Sequence, residues 1–237
     1  MSISVVLLAY KEAENLKVLL PQIKEKIEAT GENYEMVIVD TAQPLDNTSE
    51  VCEQFGARYV NQRYPGFGGA FRTGIEEAQF DKFLIMDSDG SHNPVYITDI
   101  YNRFCQGADL VIGSRYVKGG KTNDAFSSIV MSKILNTVFR IVIGVKAKDI
   151  STDFRMYDTA QLKKTELTCQ NYDVLQEVLM RLKQNNKKLV IAEVPISFDK
   201  RMFGESKRRL IPFIIGYIKT MFRLIAIRIS SCFTKRK

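Results

Sequence analysis

Asp87-Ser88-Asp89 follows the apolar run 83–86 and leads directly into Gly90-Ser91-His92-Asn93-Pro94. Two carboxylates one residue apart at a strand end can hold a hard divalent cation. Mg2+ or Mn2+ bound this way takes oxygen ligands and completes its shell from waters and substrate phosphates. Asn93-Pro94 is also a helix-start pattern, so the stretch reads alternatively as a capped polar turn. The strand–helix context below favours the metal. His92 is the sole histidine of the sequence. A Ser-His-Asp triad would have to be built on it, and no GxSxG elbow accompanies it, which argues against hydrolysis by that route. A solitary histidine in such a loop reads as an exposed polar residue. Gly66-Phe67-Gly68-Gly69-Ala70-Phe71-Arg72-Thr73-Gly74 is glycine-rich but lacks the Lys-Ser/Thr ending of a P-loop, and Phe71 stands where GxGxxG requires glycine. It reads as a close backbone approach at a helix N-terminus near a ligand cleft, with Arg72 pointing nearby, or else as tight helix-to-sheet packing.

The elements that must position these residues alternate. Segments 3–9, 35–40, 57–61, 82–86 and 109–112 are short β-branched or apolar runs and read as strands. Between them, 13–29, 48–55, the glycine turn through 79, and 95–106 carry helical periodicity. This rhythm implies right-handed βαβ crossovers and an α/β fold, a doubly wound, mostly parallel sheet. Ligands bind such sheets at the carboxyl ends of the strands, where Tyr10, Asp40 and the Asp87/Asp89 pair fall. After Gly113 the rhythm breaks. Residues 116–126 read as a flexible loop, 127–143 as a long helix, 149–157 as a short strand region, 172–184 as a helix and 189–198 as an extended stretch. With no linker or repeat, one domain is expected over 1–209, followed by a separate segment 210–237.

Composition narrows the class. At 237 residues, 45% hydrophobic and 26% charged, the chain is neither disordered nor of low complexity. Four cysteines without a CxxC pair argue against a disulfide scaffold or zinc ribbon and fit a reducing compartment. The apolar N-terminus lacks a basic n-region and cleavage site, and reads as a first strand rather than a signal peptide. The net charge of +7 is uneven: residues 1–199 hold 23 Lys/Arg and 26 Asp/Glu, a net of −3, whereas 200–237 hold 11 basic residues and only Glu205, a net of +10. A nucleic-acid binder would spread its charge over a face with aromatic platforms, so no nucleic-acid partner is expected. Cations mixed with apolar side chains point to an anionic membrane surface. Segment 210–229 could span a bilayer by length, but Lys219, Arg223 and Arg228 disfavour it. On a helix Ile211, Ile214, Ile215, Ile218, Phe222, Ile225 and Ile229 share one broad face, Lys219 and Arg223 lie on another, and Arg228 must snorkel. Lys235-Arg236-Lys237 add a terminal cationic cluster. An amphipathic, interfacial helix on the cytoplasmic face of a membrane is expected; the alternative is a helix packed on the domain or in an oligomer interface.

Five blocks in a fixed order add a resemblance. They are Leu8-Ala9-Tyr10-Lys11-Glu12; Met86 to His92; Gly113-Ser114-Arg115-Tyr116; Asp149 with Phe154-Arg155-Met156-Tyr157; and Glu193-Val194-Pro195-Ile196-Ser197-Phe198, followed by Arg201 and Gly204-Glu205-Ser206-Lys207. From Val5 to about Lys207 the chain resembles the dolichyl- or polyprenyl-phosphate mannosyltransferases among the family-2 inverting glycosyltransferases of GT-A fold. The resemblance implies that Tyr10, Glu12 and Asp40 contact the nucleoside, with Leu8 and Ile38 lining the base. It implies that Asp87 and Ser88 flank the donor, that Asp89, with Asp87 and Ser91, holds Mg2+ or Mn2+, and that Arg115, Arg201 and Lys207 meet the diphosphate or acceptor phosphate. A departing nucleoside diphosphate needs a metal ion and fixed cations for its developing charge, and arginine's fork suits phosphate oxygens.

The chain also departs from the pattern. Asp40-Thr41-Ala42-Gln43-Pro44-Leu45-Asp46-Asn47-Thr48 replaces Asp-Asp-Gly-Ser-Pro-Asp-Gly-Thr, losing the second acid and gaining a residue, and Ser88 replaces an alanine. This segment borders the base and ribose, which leaves GDP or UDP open. A lipid phosphate, with a second pKa of about 6, attacks without a strong base, whereas a hydroxyl acceptor needs a carboxylate, for which Glu177 and Asp153 are the candidates. The expected activity is metal-dependent, inverting transfer of a sugar, with GDP-mannose as leading donor, to a polyprenyl or dolichyl phosphate. The rival expectations are a UDP-sugar enzyme acting on a sugar hydroxyl in polysaccharide assembly, and a non-catalytic nucleotide-sugar-binding subunit.

Overall fold

The computed structural model describes residues 1–204 and 210–233, and the side chains of all of these except 210–215 and 229–233. The expected rhythm is realised: β1 (Ser2–Leu8), α1 (Ala13–Glu28), β2 (Asn33–Asp40), α2 (Thr48–Phe55), β3 (Arg58–Asn61), α3 (Gly66–Glu77), β4 (Lys82–Asp87), α4 (Ile97–Cys105) and β5 (Leu110–Ser114). A short β6 (Lys121–Thr122), α5 (Phe126–Ile143), β7 (Arg155–Asp158), α6 (Thr159–Lys163), α7 (Val174–Asn185), β8 (Ile191–Pro195), β9 (Ser197–Phe198) and α8 (Leu210–Phe233) follow.

The main sheet runs β3-β2-β1-β4-β7-β5-β8, parallel except for β7, which is antiparallel to both its neighbours. Val5, Val6, Leu7 and Phe83 to Met86 are fully buried, as strands covered on both faces must be. Helices α1, α2 and α4 cover one face; α3, α5, α6, α7 and α8 cover the other. The chain winds from β1 outward to β2 and β3, then returns to β4 on the opposite side of β1. That reversal opens a crevice at the carboxyl ends of β1 and β4, where Leu8 is the register partner of Asp87. Part of the expected loop 116–126 is ordered, because β6 pairs with β9 in a second, two-stranded sheet.

The glycine motif serves packing. A Cβ on Gly66, Gly68 or Gly69 would fall 2.2 Å from the carbonyl oxygen of Gln170, Cys169 or Tyr64, and one on Gly74 would fall 2.7 Å from Val6 of the sheet. Arg72 lies over the Tyr64 ring, donates to the Leu167 carbonyl and lines a surface pocket with Lys163 and Thr165, away from the acid loop.

Helix α8 lies against α5 and α7, its Leu224 fully buried and its Tyr217 edge-on to Phe139. Arg223, expected on an outward polar stripe, instead reaches inward to Thr168 and Glu177, and Arg228 donates to the Ile141 and Val142 carbonyls rather than snorkelling. Ile218 and Phe222 remain exposed, as the expected apolar face requires; the side chains of Ile211, Ile214, Ile215 and Ile229 lie outside the described residues.

Candidate active site

The sheet delivers Asp87 to the crevice, and Gly90, at φ +84°, reverses the chain immediately after Asp89. Ser88 donates to the Leu8 carbonyl at 2.6 Å, fastening this loop to the neighbouring strand. The Ser91 hydroxyl donates to Asp89 Oδ1 at 2.6 Å and lies 3.2 Å from Asp87 Oδ2. Side-chain oxygens of Asp87, Asp89 and Ser91 thus converge at the mouth of the sheet, a hard donor set suited to Mg2+ or Mn2+. The capped-turn reading also holds, one step further along: Asn93 Oδ1 accepts from the Val95 amide at the start of the turn Pro94–Tyr96.

His92 is fully buried, contrary to the expectation of an exposed residue, between the rings of Phe154 and Phe198. Its Nδ1 accepts the Asp87 amide at 3.0 Å, so the ring proton sits on Nε2, 3.2 Å from Thr152 Oγ1. Burial lowers its pKa and keeps it neutral. Asp153 is enclosed beside it; burial, then the charge of Asp87, hold its pKa well above the usual range. Asp87, His92 and Asp153 lie close enough to share an ion. Because the Nδ1 lone pair is already used by a backbone amide, the side of Asp87 facing Asp89 and Ser91 is the better metal site.

Cations frame these acids differently. Arg201 Nη2 is 2.9 Å from Asp89 Oδ2, and its Nη1 donates to Glu12 Oε1 at 3.1 Å. The surrounding strap is pinned by backbone bonds from Asp199 N to Ser91 O and from Met202 N to Asp89 O, each 2.9 Å. Asn15 on α1 also bonds both the amide and the carbonyl of Phe203. Arg115 is turned away from the acids. Its guanidinium chelates Asp149 at 2.7 and 2.9 Å and donates to Ser151 and Ser132. Glu193 on β8 accepts the Lys148 and Asp149 amides and fixes that partner in place. Asp149 Oδ2 in turn accepts the Arg115 amide.

Residues 4–165 match the model of the family "Glycosyl transferase family 2". The chain belongs to that family. This glycosyltransferase is 33% identical over 234 residues to a dolichol-phosphate mannosyltransferase of Pyrococcus furiosus, covering 95% of this chain and 64% of that protein. It is 30% identical to a polyprenol monophosphomannose synthase of Mycolicibacterium smegmatis, over 86% of this chain and 79% of that one. Its GT-A-like fold matches glucosyl-3-phosphoglycerate synthase from Mycobacterium tuberculosis, solved with Mn2+, UDP and glucosyl-3-phosphoglycerate, with a TM-score of 0.74 at 18% identity over 95% of this chain and 80% of that one.

Among the residues expected near a nucleoside, Tyr10 is 48% exposed, Leu8 is half-buried and Glu12 is nearly enclosed. Lys11 between Tyr10 and Glu12 adopts φ +59°, uncommon for a side-chain-bearing residue and a mark of a constrained turn. Asp40 is fully buried; it accepts from the Tyr59 hydroxyl and the Thr41 amide, and burial raises its pKa. Ile38, expected beside the base, is enclosed in the core and offers no surface to a ligand. The altered segment has a clear anchor: Asp46 accepts from Thr48 at the start of α2 and from the Ala13 amide opening α1. Lys207 lies outside the described residues. Sequence reasoning assigned no role to Asp149 and Glu193 beyond their motifs. Their function depends on contacts 34 to 45 residues apart, which spacing does not report.

Proposed function

We propose that this glycosyltransferase moves a sugar, mannose from GDP-mannose foremost, onto a polyprenyl or dolichyl phosphate at a membrane surface. The observation that carries the reading is the convergence of Asp87, Asp89 and Ser91 with the Arg201 guanidinium at the crevice. Those oxygens would hold a divalent ion, which would supply positive charge to offset that of the departing diphosphate. Arg201 and Lys207 contribute fixed cations to phosphate oxygens. Tyr10 and Glu12 border the nucleoside, Asp40 braces the Thr41 amide and the Tyr59 hydroxyl at the end of β2, and Ser88 keeps the loop beside Leu8. Arg115 acts here as a positioning residue, holding the 149–151 segment rather than touching phosphate.

An acceptor phosphate oxygen attacks the anomeric carbon opposite the leaving group. The new carbon–oxygen bond forms as the bond to the diphosphate breaks, the electron pair departs with the nucleoside diphosphate, and configuration inverts. No base is required. The two carboxylates that a hydroxyl acceptor would call on favour this choice. Asp153 is enclosed, with burial and the Asp87 charge raising its pKa, and Glu177 is fully buried, accepting from the Thr168 and Cys169 amides.

The membrane reading gains an element beyond α8. Helix α5 is apolar enough along its 18 residues to cross a membrane by composition, yet only 17% of it is buried. Phe126, Val130, Ile134 and Ile141 lie along one exposed face, with Lys133 and Arg140 nearby. Since α5 and α8 bury their other sides in the same core, their outer stripes face away from the same sheet layer, suited to the surface of an anionic cytoplasmic leaflet. The test is mannose transfer from labelled GDP-mannose to polyprenyl phosphate by the purified protein with Mg2+ or Mn2+. Transfer supports the reading; no product from any common GDP- or UDP-sugar contradicts it.

A further inference from the structure

We infer that Arg201 is a resident counter-cation that ties metal occupancy of the site to nucleotide occupancy. The inference rests on the reading of Asp89 as a ligand of a donor-bound ion. One oxygen of Asp89 is bonded to Ser91; the other lies 2.9 Å from Arg201 Nη2, while Nη1 is bonded to Glu12. A guanidinium does not shed its charge. A divalent ion arriving at Asp89 therefore meets a fixed positive charge across the carboxylate, and the two compete for it.

The strap limits how that competition resolves. Residues 199, 202 and 203 are held through their backbones to Ser91, Asp89 and Asn15. Met202 packs over Gly90 so closely that a Cβ there would come within 2.6 Å of it. The backbone on either side of Arg201 is thus anchored while its side chain, 27% exposed, is free to swing. A diphosphate beside the ion offers the fork two new oxygen acceptors. Nucleotide then draws Arg201 off Asp89, the ion takes the released carboxylate, and each ligand favours the other. By linkage the coupling is reciprocal.

The test is calorimetric titration of Mn2+ into the full chain with and without GDP. In the wild type, GDP tightens Mn2+ binding. In Arg201→Gln, Mn2+ alone binds about fivefold tighter than in the wild type, the effect of deleting one partly buried competitor, and GDP tightens it by less than in the wild type, since the phosphates still complete the ion's shell. Arg201→Lys, which keeps the charge without the fork, falls between the two and serves if the glutamine variant misfolds. Lys200→Gln, at the exposed neighbouring position, leaves Mn2+ affinity unchanged. Unchanged Mn2+ affinity in Arg201→Gln, wild-type coupling in that variant, or equal tightening in Lys200→Gln overturns the inference. If Mn2+ binds the wild type and Asp89→Ala abolishes that binding, such a failure leaves the metal reading standing. Absence of Mn2+ binding with or without GDP removes both.

Discussion

Two arginines of this chain engage acids in opposite ways. Arg115 is 8% exposed at its side chain; Asp149 takes its fork at two points, serine hydroxyls take further donors, and the Phe198 ring lies against it. Arg201 is 27% exposed and stretches between two acids, Glu12 and Asp89, at the rim of the crevice. The first pair is closed. It exchanges water for a full set of protein partners, so removing one member strands a buried charge. The second has solvent access and partners drawn from separate elements, and is therefore free to exchange. The same two side-chain types build a scaffold joint in one place and a working contact in the other.

If that contrast is right, Asp89→Ala is the most damaging change to function: turnover falls by about a thousandfold or more while far-UV circular dichroism stays unchanged. Retained turnover would remove the open pair from the chemistry. Arg115→Met has the opposite profile, costing about 3–5 kcal/mol in urea denaturation because Asp149 is left buried and unpaired. A loss comparable to that of an exposed pair would show that the joint is not closed. Arg201→Met is expected to cost less than about 1 kcal/mol of stability and about a hundredfold in kcat.

Acid titration separates the pairs further. Burial pushes the Asp149 carboxyl up, but the Arg115 hydrogen bonds and charge outweigh it and leave its pKa below the ordinary 3.8. An acid depressed in this way contributes stability that is complete above the unfolded value and drains as pH falls through the folded one. Wild-type stability should therefore drop below about pH 4 with a slope that is shallower in Arg115→Met, as measured by denaturation across pH. The smallest effect is expected far from both pairs. Ile134→Ser on α5 should weaken sedimentation with anionic vesicles about fivefold, without changing Mn2+ affinity or urea stability.

Much of this arrangement could be read from the chain before folding. Strands β1, β2, β4 and β5 are continuous apolar runs because both their faces are covered, and the acid loop follows the one ending at Asp87, so the fold and the place of the acid pair at the sheet mouth emerge from local pattern. Strand β7 is legible as part of the short strand region 149–157, but its antiparallel insertion between β4 and β5 is not, because four residues between a loop and a short helix carry no sign of direction. The burial of His92 depends on Phe154 and Phe198, and the closure of Arg115 on Asp149 and Glu193, none of them neighbours in sequence. The motif reads Arg115 as a residue type, but not the partners it already has in Asp149, Ser151 and Ser132. For α8, periodicity found an apolar stripe. Packing on the domain is only the alternative on that pattern, and the stripe does not single out Tyr217 and Leu224, which lie on another side of the helix and pack on the domain while Arg223 turns inward.

The most direct measurement is anomalous diffraction from a crystal of the full chain soaked with Mn2+ and the donor. The account predicts the ion on the carboxylate oxygens of Asp89 and Asp87, with Arg201 turned from Asp89 onto a phosphate oxygen. An ion bound elsewhere, with Arg201 still stretched between Glu12 and Asp89, would contradict it.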